Sequence, residues 1–435
     1  MSLARNIEFL RQLPKLHGLN TGLGRGARRV VGGSPLVETT GFGTNPGELR
    51  MLSYLPETLA AGPALVVVLH GCGQTAAGYD LGAGWSLLAK HYGFALLMPE
   101  QQLANNAQNC FNWFAPQDSR RGSGEASSIR QMIARMASDH KIDPHRIFIT
   151  GLSAGGAMTS VMLAAYPEVF AAGAIIAGLP YGVATNVREA LNGMFQSPAR
   201  SSKELGDLVR GASRHRGAWP KVSVWHGSAD RTVNPANADQ ILKQWLDVHR
   251  LPSAPMSEGT VDGYPHQVWW NSDGETIVES YTITDMAHGT PIGMAENDQR
   301  YGVGGAFLIE AGISSSYHIA KFFGLTSGAL RPAKPAVQAR PPMESPSARL
   351  IPVASPVAPA ALPTPPDLGK VLWPLAIGNP PPKPAANSAS KSASKSARKP
   401  AADSAPKSQE KKRASAIGAV ITRALAAAGL VKQAQ

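Results

Sequence analysis

The sequence predicts an α/β fold: a mostly parallel central sheet with helices on both faces, followed by a disordered basic C-terminal tail. Three observations carry this. Short β-branched apolar runs, each closed by a glycine or a turn, alternate with stretches of helical periodicity. The chain has 435 residues, 43% of them hydrophobic, enough for a sizeable core. Charge is distributed unevenly. The formal net charge is +12, and residues 331–435 hold 16 Lys plus Arg against 4 Asp plus Glu, so the preceding residues are balanced. That balance excludes reading the front of the chain as a nucleic-acid-binding domain. No apolar run of about 18 residues, the length of a membrane-spanning helix, occurs.

Taken in order, residues 1–38 read as an N-terminal extension with a short amphipathic helix (Ile7, Leu10, Leu13) and a basic link. It lacks the long apolar core of a secretory signal. The folded domain is placed at 39–325. Its buried strands are Ala64–Gly71, Phe94–Glu100, Arg146–Gly151, Ala172–Gly178, Lys221–Gly227 and Val278–Thr284. Between the first two, "GWSLLAKHYG" is helical. A later stretch sets Ile129, Met132, Ile133 and Met136 at i, i+3, i+4 and i+7, one face of an amphipathic helix. Residues from about Val183 to Trp219 show little periodicity and are expected to form a cap. Residues 326–412, rich in Pro, Ala, Ser and Lys, cannot bury enough apolar surface to offset chain entropy. Residues 413–433 place Ile417, Val420, Ile421, Leu425 and Val431 near one face of a terminal amphipathic helix.

One stretch carries chemistry. "GLSAG", Gly151 to Gly155, fits G-x-S-x-G. The pattern alone is weak, but here it sits between the strand "RIFITG" and the helical "AGGAMTSVMLAAYP", the strand–turn–helix setting such a nucleophile needs. A serine on so tight a turn needs small neighbours, which Gly151, Ala154, Gly155 and Gly156 supply. Ser153 is therefore the candidate nucleophile. Read without its flanks, the segment is a small-residue turn holding an inert serine.

A serine nucleophile needs a base and an orienting acid, here in the order Ser, acid, His. Among the later histidines, His288 in "TITDMAHGTPIG" lies on a loop just past a strand. His226 precedes the acid and has the wrong order. His215 and His249 lie in charged segments, His318 in a late helix, and His266 in "GYPHQVWW" is the other loop candidate. Asp230, in the loop after "KVSVWHG", is the candidate acid, with Asp239 and Asp285 as rivals. The oxyanion hole requires two backbone N–H groups. Ala154 follows the nucleophile, and the loop "LHGCGQTAAGYD" offers Cys72, with Gly73 as its neighbour.

Several segments together resemble one family: "VVVLHGCGQTAAGYD", "NCFNWFAPQDSRRGSGEASSIRQMI", "IDPHRIFITGLSAGGAMTSVMLAAYPEVFAAGAIIAGLPYG" and "VWHGSADRTVNPAN". Over roughly Thr39 to Leu325 the chain is similar to the polyhydroxybutyrate-depolymerase-type esterases of the α/β-hydrolase superfamily. The resemblance implies Ser153 as nucleophile, Asp230 as acid, His288 as base and Cys72 as the oxyanion-loop residue. It implies hydrolysis of poly- or oligo(3-hydroxybutyrate) or related short-acyl esters. Feruloyl, acetylxylan and general small-ester hydrolysis are the alternatives. On the depolymerase reading the basic tail attaches the enzyme to a polymer granule, and a reading from another class makes the protein a binding or scaffold protein whose tail contacts nucleic acid or an anionic membrane. The two cysteines, Cys72 and Cys110, either form one disulfide beside the site or are both free. Trp113 is a candidate wall of the substrate pocket and equally a core residue. No cofactor is required, and no residue spacing suggests a metal. Many members of the family are secreted, which implies an extracellular location, with the cytoplasm as the alternative because no signal peptide is visible.

Overall fold

A computed structural model describes residues 29–30 and 33–327. The expected N-terminal helix, nearly all of the basic tail and the terminal amphipathic helix lie outside the described residues.

Among the described residues, eleven strands form one sheet. In chain order they are β1 (Arg29–Val30), β2 (Val37–Thr39), β3 (Arg50–Tyr54), β4 (Leu65–Leu69), β5 (Ala95–Glu100), β6 (Ile147–Leu152), β7 (Ala172–Ile176), β8 (Lys221–Gly227), β9 (Ser257–Val261), β10 (Tyr264–Trp270) and β11 (Thr276–Ile283). Across the sheet the order is β1-β2-β3-β5-β4-β6-β7-β8-β11-β10-β9. The six strands from β5 to β11 pair in parallel, while β1–β3 and β9–β10 are antiparallel margins.

The parallel centre is the set of six runs read from the sequence. All five residues of β4 are fully buried, because helices cover both faces. Alternate residues serve opposite cores, as the two-residue strand period requires. Leu65, Val67 and Leu69 join Ile129, Met132 and Met136 of the helix Gly124–His140, together with Met158 and Trp245, on one face. Val66 and Val68 join Trp85, Leu88, Tyr317 and Ile319 on the other. Each such aliphatic side chain contributes about 1.5–3 kcal/mol on burial.

Three expectations change. β1 and β2 carry the sheet into the segment read as an N-terminal extension, ahead of residue 39. His266 is not on a loop: it lies within β10 and its Nε2 meets Glu279 Oε2 at 3.1 Å. Residues 183–219 are not aperiodic. They form the helices Val187–Gln196, capped by Asn186, and Ser202–Gly211, whose Ser201 and Glu204 make a capping box. The second helix buries Leu205 and Val209 and is tied to the helix Ala236–His249, where Gln244 Nε2 donates to the Leu205 carbonyl at 2.9 Å. Its polar stripe masks the apolar one when the segment is read as a block.

A separate parallel pair, β12 (Thr290–Ile292) and β13 (Leu308–Glu310), matches Thr290 with Leu308. That register aligns Gly289 with Phe307 just ahead of the strands, and the ring of the preceding His288 meets that of Phe307.

Candidate active site

In parallel strands the carboxyl ends share one edge. Ser153 follows β6, Asp230 follows β8 and His288 follows β11, so topology alone brings the three loops to the same edge of the sheet.

Ser153 has φ 57° and ψ −115°, a conformation L-residues rarely adopt. It is held there by both of its backbone groups. Its N–H donates to the Ile176 carbonyl at 2.9 Å, and its carbonyl accepts from Ala157 N–H at 2.8 Å. A serine at a helix start ordinarily spends its hydroxyl on capping, but Ser153 makes no side-chain cap. The neighbours must be small for a measurable reason. A Cβ added at Gly155 would lie 2.4 Å from the Leu69 carbonyl oxygen and 2.5 Å from that of His70.

The acid and base loops are stitched together. Ser228 N–H donates to the Ile283 carbonyl, Ala229 N–H to that of Met286, and Asp285 N–H to Ser228 Oγ. Gly227 permits the approach, since a Cβ there would stand 2.2 Å from the Met286 oxygen. Asp230 Oδ1 accepts from Thr232 N–H at 2.8 Å and Val233 N–H at 2.9 Å. Asp230 Oδ2 lies 2.7 Å from His288 Nδ1. Burial opposes ionisation of this carboxyl. The hydrogen bonds and charge of His226 and His288 outweigh it and hold the group well below the usual carboxylate range. The His288 hydrogen facing Asp230 therefore sits on Nδ1, leaving Nε2 as the acceptor. The rivals do not reach this position: Asp239 and Asp285 are exposed, and Asp285 serves the base loop through its backbone.

Two N–H groups meet the expectations for an oxyanion hole. Ala154 is the first residue of its helix, so its N–H has no intrahelical partner. In the preceding loop Gly73 N–H is already committed to the Gln108 carbonyl at 2.7 Å, whereas Cys72 N–H meets no acceptor among the described residues. Cys72 and Cys110 are joined in a disulfide. Trp113 is buried in the core beneath this loop, edge-on to Phe114.

Three residues of the site escaped the sequence reading, and a fourth, His226, was weighed there only as a base. His70, fully buried, donates from Nδ1 to the Gly71 carbonyl at 2.8 Å and accepts Gln101 N–H on Nε2 at 3.1 Å. Burial lowers its basicity. In a trans peptide C=O and N–H point oppositely, so pinning the Gly71 oxygen also fixes the direction of Cys72 N–H. Glu125 accepts from Gln101 Nε2 at 2.6 Å and from Asn112 N and Nδ2, both at 2.8 Å, and so organises the loop that carries Cys110. Burial, with the nearby Asp118 charge, pushes its carboxyl up to about 8. Phe307, at φ 60°, meets the His288 ring edge-on at 5.9 Å, and its carbonyl accepts Thr290 N–H at 2.8 Å. His226 also reaches Asp230, at 3.2 Å. Polar residues on strand ends carry no sequence pattern that announces such contacts. For His226, adjacency to the acid loop was the available signal.

A serine on a strained strand-to-helix turn, on a largely parallel sheet, defines the α/β-hydrolase class. Comparison with known proteins narrows it. The model of the esterase PHB depolymerase family matches residues 49–257. A poly(3-hydroxyalkanoate) depolymerase C of Paucimonas lemoignei is 45% identical over 291 residues, covering 67% of this chain and 70% of that protein. A probable acetylxylan esterase A of Aspergillus fumigatus is 30% identical over 289 residues, covering 64% and 76%. Among solved structures, an acetyl xylan esterase from Aspergillus awamori shares the fold, with a TM-score of 0.57 at 24% identity over 67% of this chain and 99% of that one. The chain belongs to the esterase PHB depolymerase family and is a carboxylic ester hydrolase.

Proposed function

We propose that this esterase cleaves poly- or oligo(3-hydroxyalkanoate) esters through an acyl-enzyme on Ser153. The observation that carries the mechanism is Ser153 itself, strained and with its hydroxyl unspent on capping. His288 Nε2 takes the Ser153 proton as Oγ attacks the ester carbonyl, while Asp230 holds Nδ1–H and steadies the ring as it becomes cationic. The N–H groups of Ala154 and Cys72 receive the developing oxyanion. The C–O bond to the alcohol breaks, and His288 returns its proton to the leaving oxygen. Water, deprotonated by the same base, then attacks the acyl-enzyme and frees the acid and Ser153.

The polyester substrate is supported by the 45% identity to the depolymerase C. Acetylxylan-type hydrolysis is the second reading, favoured by the relatives at 30% identity. The charge excess in residues 331–435 supports a further role, attachment of the enzyme to an anionic or apolar surface such as a granule, membrane or nucleic acid.

The test is clearing of a polyhydroxybutyrate suspension beside p-nitrophenyl butyrate and acetylated xylan. Clearing with wild type and its loss in Ser153→Ala supports the polyester reading. Activity on acetylated xylan without clearing transfers the assignment to the second reading. Salt-sensitive adsorption that survives deletion of Arg331–Gln435 would sink the tail's role.

A further inference from the structure

His226, next to last in β8, is buried. Chain order rules it out as the base, and His288 already occupies that place on Asp230. Its ring is nevertheless turned into the acid loop. Nε2 lies 3.0 Å from the Val233 carbonyl oxygen and 3.2 Å from Asp230 Oδ2, the oxygen that also meets His288 Nδ1. Both atoms facing Nε2 are acceptors, so the ring hydrogen sits on Nε2. Nδ1 is then a buried lone pair with no hydrogen-bond partner among the described residues. A buried polar atom without a partner costs stability, and an apolar side chain of similar volume would avoid that cost. Packing does not account for an imidazole here. What Nε2 does accounts for it.

We propose that His226 is a positioning residue of the hydrolytic centre, its Nε2–H holding the acid loop at Val233 and sharing Asp230 Oδ2 with His288, so that it governs how much of the carboxylate's charge reaches the base. The inference rests on the reading of Asp230 and His288 as acid and base. Val233 is gripped from both ends, its carbonyl by His226 and its N–H by Asp230 Oδ1. Among the described residues, the ionisable side chains in contact with Asp230 are His288 and His226. Removing the second leaves the whole of Oδ2 to the first. The protonated His288 ring is then held more tightly, and the free base needed for attack forms only at higher pH.

The test compares full-length His226→Gln, His226→Leu and His226→Asn by kcat/KM against pH on p-nitrophenyl butyrate. The Gln amide places an N–H at about the reach of Nε2, whereas Leu and Asn place none there. The acid limb of His226→Gln should coincide with that of wild type. The acid limbs of His226→Leu and His226→Asn should rise by about half a pH unit, a roughly threefold loss of kcat/KM on the acid side. Circular dichroism at each pH of the profile gives the folded fraction, so that unfolding is separated from a moved acid limb. Should Leu prevent folding, the shorter polar Asn carries the comparison. Acid limbs superimposing in all three variants, or Gln moving as far as Leu, overturns the proposal. Undiminished activity in His288→Ala would instead overturn the acid–base reading beneath it, a distinct outcome.

Discussion

Opening the Cys72–Cys110 disulfide separates two things that this bond could do: stabilise the fold and hold catalytic geometry. The bridge closes a loop of sequence separation 38. Chain entropy for such a loop gives a loss of about 4 kcal/mol on removal. At about 2–4 °C per kcal/mol for a domain of this size, the melting temperature should fall by about 10 °C. Catalysis should suffer less. The loop keeps Gly73 N–H on Gln108 O, Gly71 N–H on Gln74 Oε1, Gln74 Nε2 on Ala306 O, and His70 on the Gly71 carbonyl. Losing an oxyanion donor outright costs about 10²–10³ in kcat. With the other anchors in place, the paired Cys72→Ser/Cys110→Ser variant should lose no more than about tenfold, assayed well below its melting temperature. Calorimetry with and without reductant, beside kcat of the double variant, reads both. An unchanged melting temperature on reduction would refute the entropic argument. A hundredfold loss of kcat in a folded double variant would show that the disulfide, not the hydrogen bonds, sets the direction of Cys72 N–H.

Two further outcomes are expected. The Glu125 carboxyl is raised from 4.5 to about 8, so between those values the folded protein keeps a proton that the unfolded chain has released. Stability should therefore fall as pH rises from about 4.5 to about 8, and thermal melts of Glu125→Gln should lack that slope. Phe307→Ala removes the ring against His288, an aromatic contact worth about 1 kcal/mol, and should lower kcat/KM about fivefold. Phe307→Gly should melt higher than Phe307→Ala because glycine tolerates φ 60°, and equal melting temperatures would show that the strain is not felt.

What could be read from the sequence divides along a physical line. The six parallel strands are buried on both faces, so each appears as an unbroken apolar run, and β8 was placed to the residue. The turn at Ser153 was legible because a tight strand-to-helix connection forces small residues around it. The antiparallel margins were not. The burial of β10 and β9 is partial, and "SEGTV" of β9 is mostly exposed and polar, so neither shows an apolar run. The polar members of the site were harder still. His70, Glu125 and His226 act through a few individual hydrogen bonds whose partners lie from one to 31 residues away, at no fixed spacing, and no local pattern encodes such bonds.

The same division explains how the centre is kept in register. The strands fix which edge the loops share, to within the spacing of a sheet, but hydrolysis needs the donors and the base placed much more finely. That refinement comes from polar ties between loops. Gln74 joins the Cys72 loop to the segment 302–307, whose Phe307 carbonyl in turn holds Thr290, two residues past His288. Ser228 and Ala229 then join the His288 loop to that of Asp230. The chain of ties runs from the Cys72 loop to the His288 loop to that of Asp230. A substitution in the segment 302–307 is therefore placed to disturb the Cys72 and His288 loops at once.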